Sequence, residues 1–264
     1  MKKGILLLLV IMLTISLGLN IFVVMKSKDL KEPEEIVIET PKLTEEEKRL
    51  QAYRKAHPEL DEEEAKKQLL MNLDKEMYTD ASPAKNLDSN TVLVNAYNYV
   101  KKDYVPSDLE LLYTDIRTGE EVKLRKECKD AYLELYAYCQ YNNVEMSLAS
   151  GFKSYEAIEK EYNETKNGFK PGYDERQTGL VCDITFDIYY PLEHIKEDGF
   201  YSTFLEHLHE YGFILRYPDD KTAYTLQSNI PYRIRYVGKE AANAIYKDHI
   251  CLEEYICVIN QGML

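Results

Sequence analysis

Hydrophobic positions recur along this chain with two periods. Between Arg125 and Asn142, the residues Cys128, Ala131, Tyr132, Leu135 and Cys139 fall at helical steps and predict an amphipathic helix. Val144, Met146 and Leu148 then alternate with Glu145 and Ser147, predicting a short strand that ends at Ser150-Gly151. Ser154 is placed to cap a helix over about Tyr155 to Asn163, and a loop with Gly168, Pro171 and Gly172 follows. In Leu180 to Phe186 the apolar Leu180, Cys182, Ile184 and Phe186 share one face, so Val181, Asp183 and Thr185 share the other. Phe204, Leu205, Leu208 and Tyr211 predict a helix stopped by Gly212, with a strand over Phe213 to Arg216. Another strand covers Tyr232 to Val237, with Arg233 and Arg235 opposite Tyr232, Ile234 and Tyr236. Helices over Lys239 to Lys247 and Leu252 to Ile259 follow. Helices dominate and the strands keep no regular β-α-β order, which makes the fold class α+β.

The N-terminal part follows a different pattern. Gly4 to Val24 carries no ionisable side chain and is long enough to span a bilayer. No small-residue cleavage site follows it, so an uncleaved anchor is expected. Lysines flank the span on both sides, and charge alone sets no orientation. Residues 27–68 are acidic and polar, with Pro33, Pro41 and Pro58. They read as a juxtamembrane spacer with short helices, begun by capping-box spacings at Thr44/Glu47 and Asp61/Glu64. The expected organisation is therefore 1–26 anchor, 27–68 spacer and 69–264 globular domain.

Charge and cysteines narrow the chemistry. A net charge of −13 argues against a nucleic-acid partner, which demands a basic face. Cys128, Cys139, Cys182, Cys251 and Cys257 form no C-x-x-C pair, which excludes a zinc knuckle. Small buried hydrophobes are the expectation for most of them, with one disulfide as the alternative.

Several segments, in order, resemble the VanY-type D-alanyl-D-alanine carboxypeptidases, zinc enzymes that trim peptidoglycan stem peptides. They include Tyr104-Val105-Pro106-Ser107-Asp108-Leu109, Ser150-Gly151-Phe152-Lys153-Ser154-Tyr155-Glu156, Pro171 to Asp183, Tyr211 to Pro218 and Pro231 to Gly238. The resemblance runs from about Leu69 onwards. It implies a small antiparallel sheet flanked by helices, lying behind the N-terminal transmembrane helix. The family signature is Ser-x-His-x-x-Gly-x-Ala-x-Asp, whose His and Asp bind zinc, followed by Glu-x-x-His, whose Glu is the base and whose His is the third ligand. At those positions this chain has Asp174, Arg176, Gly179, Val181 and Asp183, then Ile230 and Arg233. Lys153 stands where the family usually has arginine, and Tyr232 where it usually has tryptophan.

A guanidinium has no lone pair to give a metal, and an isoleucine cannot take a proton. The resemblance therefore implies an inactive relative, with zinc lost and no catalytic residue. The former metal positions are Arg176, Asp183 and Arg233, and Ile230 occupies the position of the base. Arg176, Arg233 or both are expected to bridge to Asp183. These three side chains sum to +1, and Lys153 would add to that. A peptide carboxylate is accordingly an expected ligand, with Lys153, Asp174, Gln177, Tyr232 and Arg235 as possible contacts. His194 is the one histidine worth checking as a substitute ligand. The implied setting is the outer face of the cytoplasmic membrane, with a wall peptide or an extracytoplasmic protein as partner. Two alternatives stand beside this: an active zinc carboxypeptidase with an atypical metal site, and a scaffold that does not use the old cleft.

Overall fold

A computed structural model describes residues 43–115, 119–166 and 168–260 of the chain. The expected anchor, residues 4–24, lies outside the described residues. Among the described residues no helix is long and apolar enough to cross a membrane. The chain divides into two compact units, up to Pro58 and from Glu59 onwards. In the first unit, helix α1 (Glu45–Ala56) starts with the capping box its sequence calls for: the Thr44 hydroxyl accepts from the Glu47 amide while the Glu47 carboxylate accepts from Thr44.

The second unit opens with α2 (Glu62–Leu70), where Asp61 accepts from the Glu64 amide at 2.8 Å. Only half of the expected box forms, because the Glu64 carboxylate turns to Gln68, Lys67 and the Tyr224 hydroxyl. Lys67 also reaches Glu254 at 3.2 Å. These contacts put α2 with the globular unit, whereas the sequence boundary leaves it in the spacer.

A short parallel bridge of β1 (Ser82–Pro83) and β2 (Asn98–Tyr99) precedes an antiparallel hairpin, β3 (Leu109–Thr114) and β4 (Glu121–Arg125). Then come α3 (Lys126–Tyr141), β5 (Ser147–Ser150), α4 (Tyr155–Thr165), β6 (Val181–Thr185), α5 (Tyr201–His207), β7 (Phe213–Leu215), α6 (Thr222–Thr225), β8 (Arg233–Tyr236), α7 (Lys239–Asp248) and α8 (Leu252–Asn260). The main sheet has the order β5-β6-β8-β7, with every neighbouring pair antiparallel. Gly212 takes φ +81° where α5 and its following 3₁₀ turn stop, a conformation that glycine adopts without strain.

Strand parity divides the apolar side chains between two cores. Cys182, Ile184, Ile234 and Phe213 pack with Cys128, Leu135 and Cys139 of α3 and with Phe204 of α5. Ile214 joins Ala242 and Ile245 of α7 and Leu252 and Tyr255 of α8 in the second core. The sheet is thus covered on both sides, and all of Val181–Thr185 is buried. Any charge on these strands has to find its partner inside the protein.

Candidate functional site

The register of β6 against β8 sets Asp183 directly opposite Arg233. Side chains opposed in an antiparallel pair share a face and lie within reach of each other. Arg233 Nε donates to Asp183 Oδ1 at 2.7 Å and Nη2 donates to Oδ2 at 2.8 Å. This is a two-bond fork, in a place where both side chains are nearly inaccessible. Burial disfavours the Arg233 charge, but the Asp183 carboxylate outweighs it and holds the guanidinium protonated, above its ordinary pKa. The Arg233 guanidinium also lies over the Phe169 ring at 5.4 Å.

Arg176 goes elsewhere. Asp174 opens the 3₁₀ turn Glu175–Thr178, and its carboxylate accepts from the Arg176 amide at 2.9 Å. That turn folds the Arg176 side chain back onto the same carboxylate, Nε to Oδ2 at 3.0 Å and Nη2 to Oδ2 at 2.7 Å. The other side of Nη2 meets Glu161 of α4 at 2.8 Å. Burial pushes the Asp174 carboxyl up, yet the Arg176 and Arg233 guanidiniums keep it below its usual 3.8. Of the two arginines expected to bridge to Asp183, one does and the other is captured two residues away.

Glu161, Arg176, Asp183 and Arg233 line an open cleft of about 690 Å³, together with Lys153, Ile230 and Tyr232. Ile230 offers neither acceptor nor donor in its side chain. Lys153 sits between Glu120 at 3.3 Å and Glu161 at 3.5 Å. The sequence expectation of an excess positive charge is corrected here. Arg233 is matched by Asp183, Arg176 by Asp174, and Lys153 by Glu161, so the cleft is close to electroneutral. Glu161 and Asp174 supply the balance. Glu161 carries no motif, and only the Asp-x-Arg spacing, which favours a side-chain-capped turn, hints at the second.

Three of the expected contact residues do not reach the cleft. Asp174 is fully buried beneath Arg176. Gln177 is buried and donates to the carbonyls of Lys101 and Tyr104 at 3.0 and 3.2 Å, which holds the Tyr104 loop against the turn. Arg235, at 0% exposure, donates to the carbonyls of Val92 and Tyr236, with Nε 3.7 Å from Glu175. Burial lowers its pKa, since Glu175 compensates only in part. His194 pairs with Glu197 at 3.1 Å and lines no part of the cleft.

Beneath the cleft runs a second charged system. Arg216, also 0% exposed, donates Nε to Glu175 at 2.6 Å and forks Nη1 and Nη2 onto Glu253 at 3.0 and 2.6 Å. It joins the segment before β6, the end of β7 and the first turn of α8.

The chain matches proteins of known family in sequence and in overall fold. The family profile "VanY: D-alanyl-D-alanine carboxypeptidase" matches residues 121–239, which hold β4 through β8. A solved structure of the vancomycin-resistance D,D-pentapeptidase VanY, from a VanB-type cassette and in complex with Zn(II), is 31% identical. The match covers 98% of that protein and 63% of this one, with a TM-score of 0.51. This chain belongs to the VanY family. Among VanY relatives, a D-alanyl-D-alanine carboxypeptidase of Enterococcus faecalis is 32% identical over 185 residues, 62% of this chain and 65% of that enzyme. The LdcB LD-carboxypeptidase, whose structure addresses peptidoglycan recognition, superimposes with a TM-score of 0.60 at 28% identity, over 69% of this chain and 92% of that one. The VanY fold here is α+β, and its relatives include zinc carboxypeptidases that act on peptidoglycan.

Proposed function

We propose that this VanY-family chain is a non-catalytic relative of the D-alanyl-D-alanine carboxypeptidases, held at the outer face of the cytoplasmic membrane by residues 4–24. Its cleft binds a peptidoglycan stem peptide or a cell-wall protein without cutting it. The observation that carries the reading is the fork from Arg233 to both oxygens of Asp183. A zinc ion needs lone pairs from three protein groups and an open position for water. Here the one carboxylate at the former metal positions has both oxygens engaged by a guanidinium, and Arg176 and Arg233 have no lone pair to offer. The side chains present do not fit the ion.

The absence of a base at Ile230 supports the same conclusion separately. Proton transfer by a positioned carboxylate contributes about 100- to 10,000-fold in rate, and an alkyl side chain contributes none of it. Binding is a different matter. The cleft is open, with a volume of about 690 Å³, and its paired charges suit a zwitterionic or neutral peptide better than a bare anion.

The test has two parts. Zinc content and D-alanine release from a stem pentapeptide are measured on the full-length chain, and the expected result is neither stoichiometric metal nor turnover. Calorimetric titration with the same pentapeptide then reads binding, which Tyr232→Ala at the cleft wall should weaken. Stoichiometric zinc together with turnover would restore the reading as an active carboxypeptidase with an unusual metal site. Absence of binding, with the fold intact, favours the scaffold reading. Tyr136, Tyr189 and Tyr190 are exposed, and they supply that reading with a surface outside the cleft.

A further inference from the structure

Two cysteines that the cleft chemistry does not use face one another in the main core. Cys128 stands in the first turn of α3 and Cys182 is the residue of β6 immediately before Asp183. Their sulfurs are 3.9 Å apart, and both side chains are at 0% exposure. The other three cysteines point to different partners or to none of their kind: Cys139 meets the Met146 sulfur at 3.9 Å, and Cys257 meets the Lys67 carbonyl at 3.9 Å. All five thiols are free in this structure.

We propose that Cys128 and Cys182 are a site of oxidative cross-linking, forming a disulfide between α3 and β6. The two Sγ–H bonds break and one Sγ–Sγ bond forms. The two electrons and two protons pass to an external disulfide, of a small thiol or of an oxidoreductase, which is reduced to two thiols. A rotation of one or both side chains brings the sulfurs to bonding distance, and the helix and strand are already in contact through this core. Exchange needs the attacking thiolate and the external disulfide to meet, and both sulfurs are fully enclosed in the folded core. The bond therefore forms while the chain is folding and the thiols are still open to solvent. Once the core closes, the same burial shields the bond from reductant. The cross-link joins positions 54 residues apart and fixes the strand residue next to Asp183.

The experiment uses the full-length chain refolded in a mixture of oxidised and reduced glutathione, then denatured, alkylated with N-ethylmaleimide and digested without reductant. Mass spectrometry should find a peptide pair linked through Cys128 and Cys182, two hydrogens lighter than the sum of the thiol forms, while Cys139, Cys251 and Cys257 carry the alkyl group. Alkylation of Cys128 and Cys182 to the same extent as the other three overturns the proposal, as do mixed pairings in comparable yield. A second readout needs no variant. Closing a loop of this length raises Tm by roughly 10 °C, and adding reductant under denaturing conditions before refolding should abolish that gain. An oxidised chain that melts together with the reduced one also overturns it.

Discussion

The behaviour of Asp183 depends on a single neighbour. It lies in a strand buried on both faces, and Arg233 supplies hydrogen bonds to both of its oxygens. Arg233→Ala leaves that carboxylate buried and unpaired, and the expected loss is about 3–5 kcal/mol of unfolding free energy by urea denaturation. Replacing both partners by leucine should cost far less, because no charge is then stranded. Equal losses in the single and double variants would mean that the fork contributes packing and not charge compensation. This pair was legible in the sequence, since both residues sit on regular strands whose alternation fixes the facing side. The partner of Arg176 was not. It sits in a 3₁₀ turn, where direction follows from the Asp174 cap and not from any period. Arg235 misled for a related reason: strand parity gave its face, but not whether that part of the face is open or covered.

Secondary elements were legible in proportion to how regular their burial is. Helix α3 and strands β6 and β8 keep clean apolar spacing and lie where the sequence places them. The β3–β4 hairpin went unread because β3 alternates poorly and the register shifts between Leu111 and Tyr113. The extent of α2 in the fold was hidden as well, since only Ala65 and Leu69 of the helix are buried and much of its attachment is ionic. Lys67 of α2 and Lys221 both grip Glu254 of α8, at 3.2 and 3.0 Å. Burial raises the Glu254 carboxyl, but the Cys251 amide and the two lysines outweigh it and bring it below its usual 4.5. A group whose pKa is lower when folded contributes stability that is complete above the unfolded value and is lost as pH falls through the folded one. Denaturation midpoints measured from pH 6 down to pH 3 should therefore drop more steeply below about 4.5 in the parent chain than in Glu254→Gln. Parallel curves would show that the α2–α8 contact adds nothing that depends on this carboxylate.

Across the whole molecule the charge is uneven. The chain carries −13 overall, yet its interior pairs Arg216 and Arg235 with Glu175 and Glu253, and the cleft balances its own charges. The acidity is thus a surface property, which suits solubility and says little about the ligand. Arg216 is fully enclosed, and its forked partner, Glu253, comes from the first turn of α8. A chain ended after Ile250 should consequently show no cooperative melting by circular dichroism, since it loses both the Leu252 and Tyr255 packing and the acceptor for a buried cation. Retention of a sharp transition would mean that Glu175 alone suffices. The dependence on Glu253 also bears on how the protein is made. While α8 is still inside the ribosomal exit tunnel, the guanidinium awaiting it has no enclosed place to go. The sheet therefore stays provisional until α8 has emerged, and a stop codon just ahead of α8 is expected to be as damaging as one within the sheet.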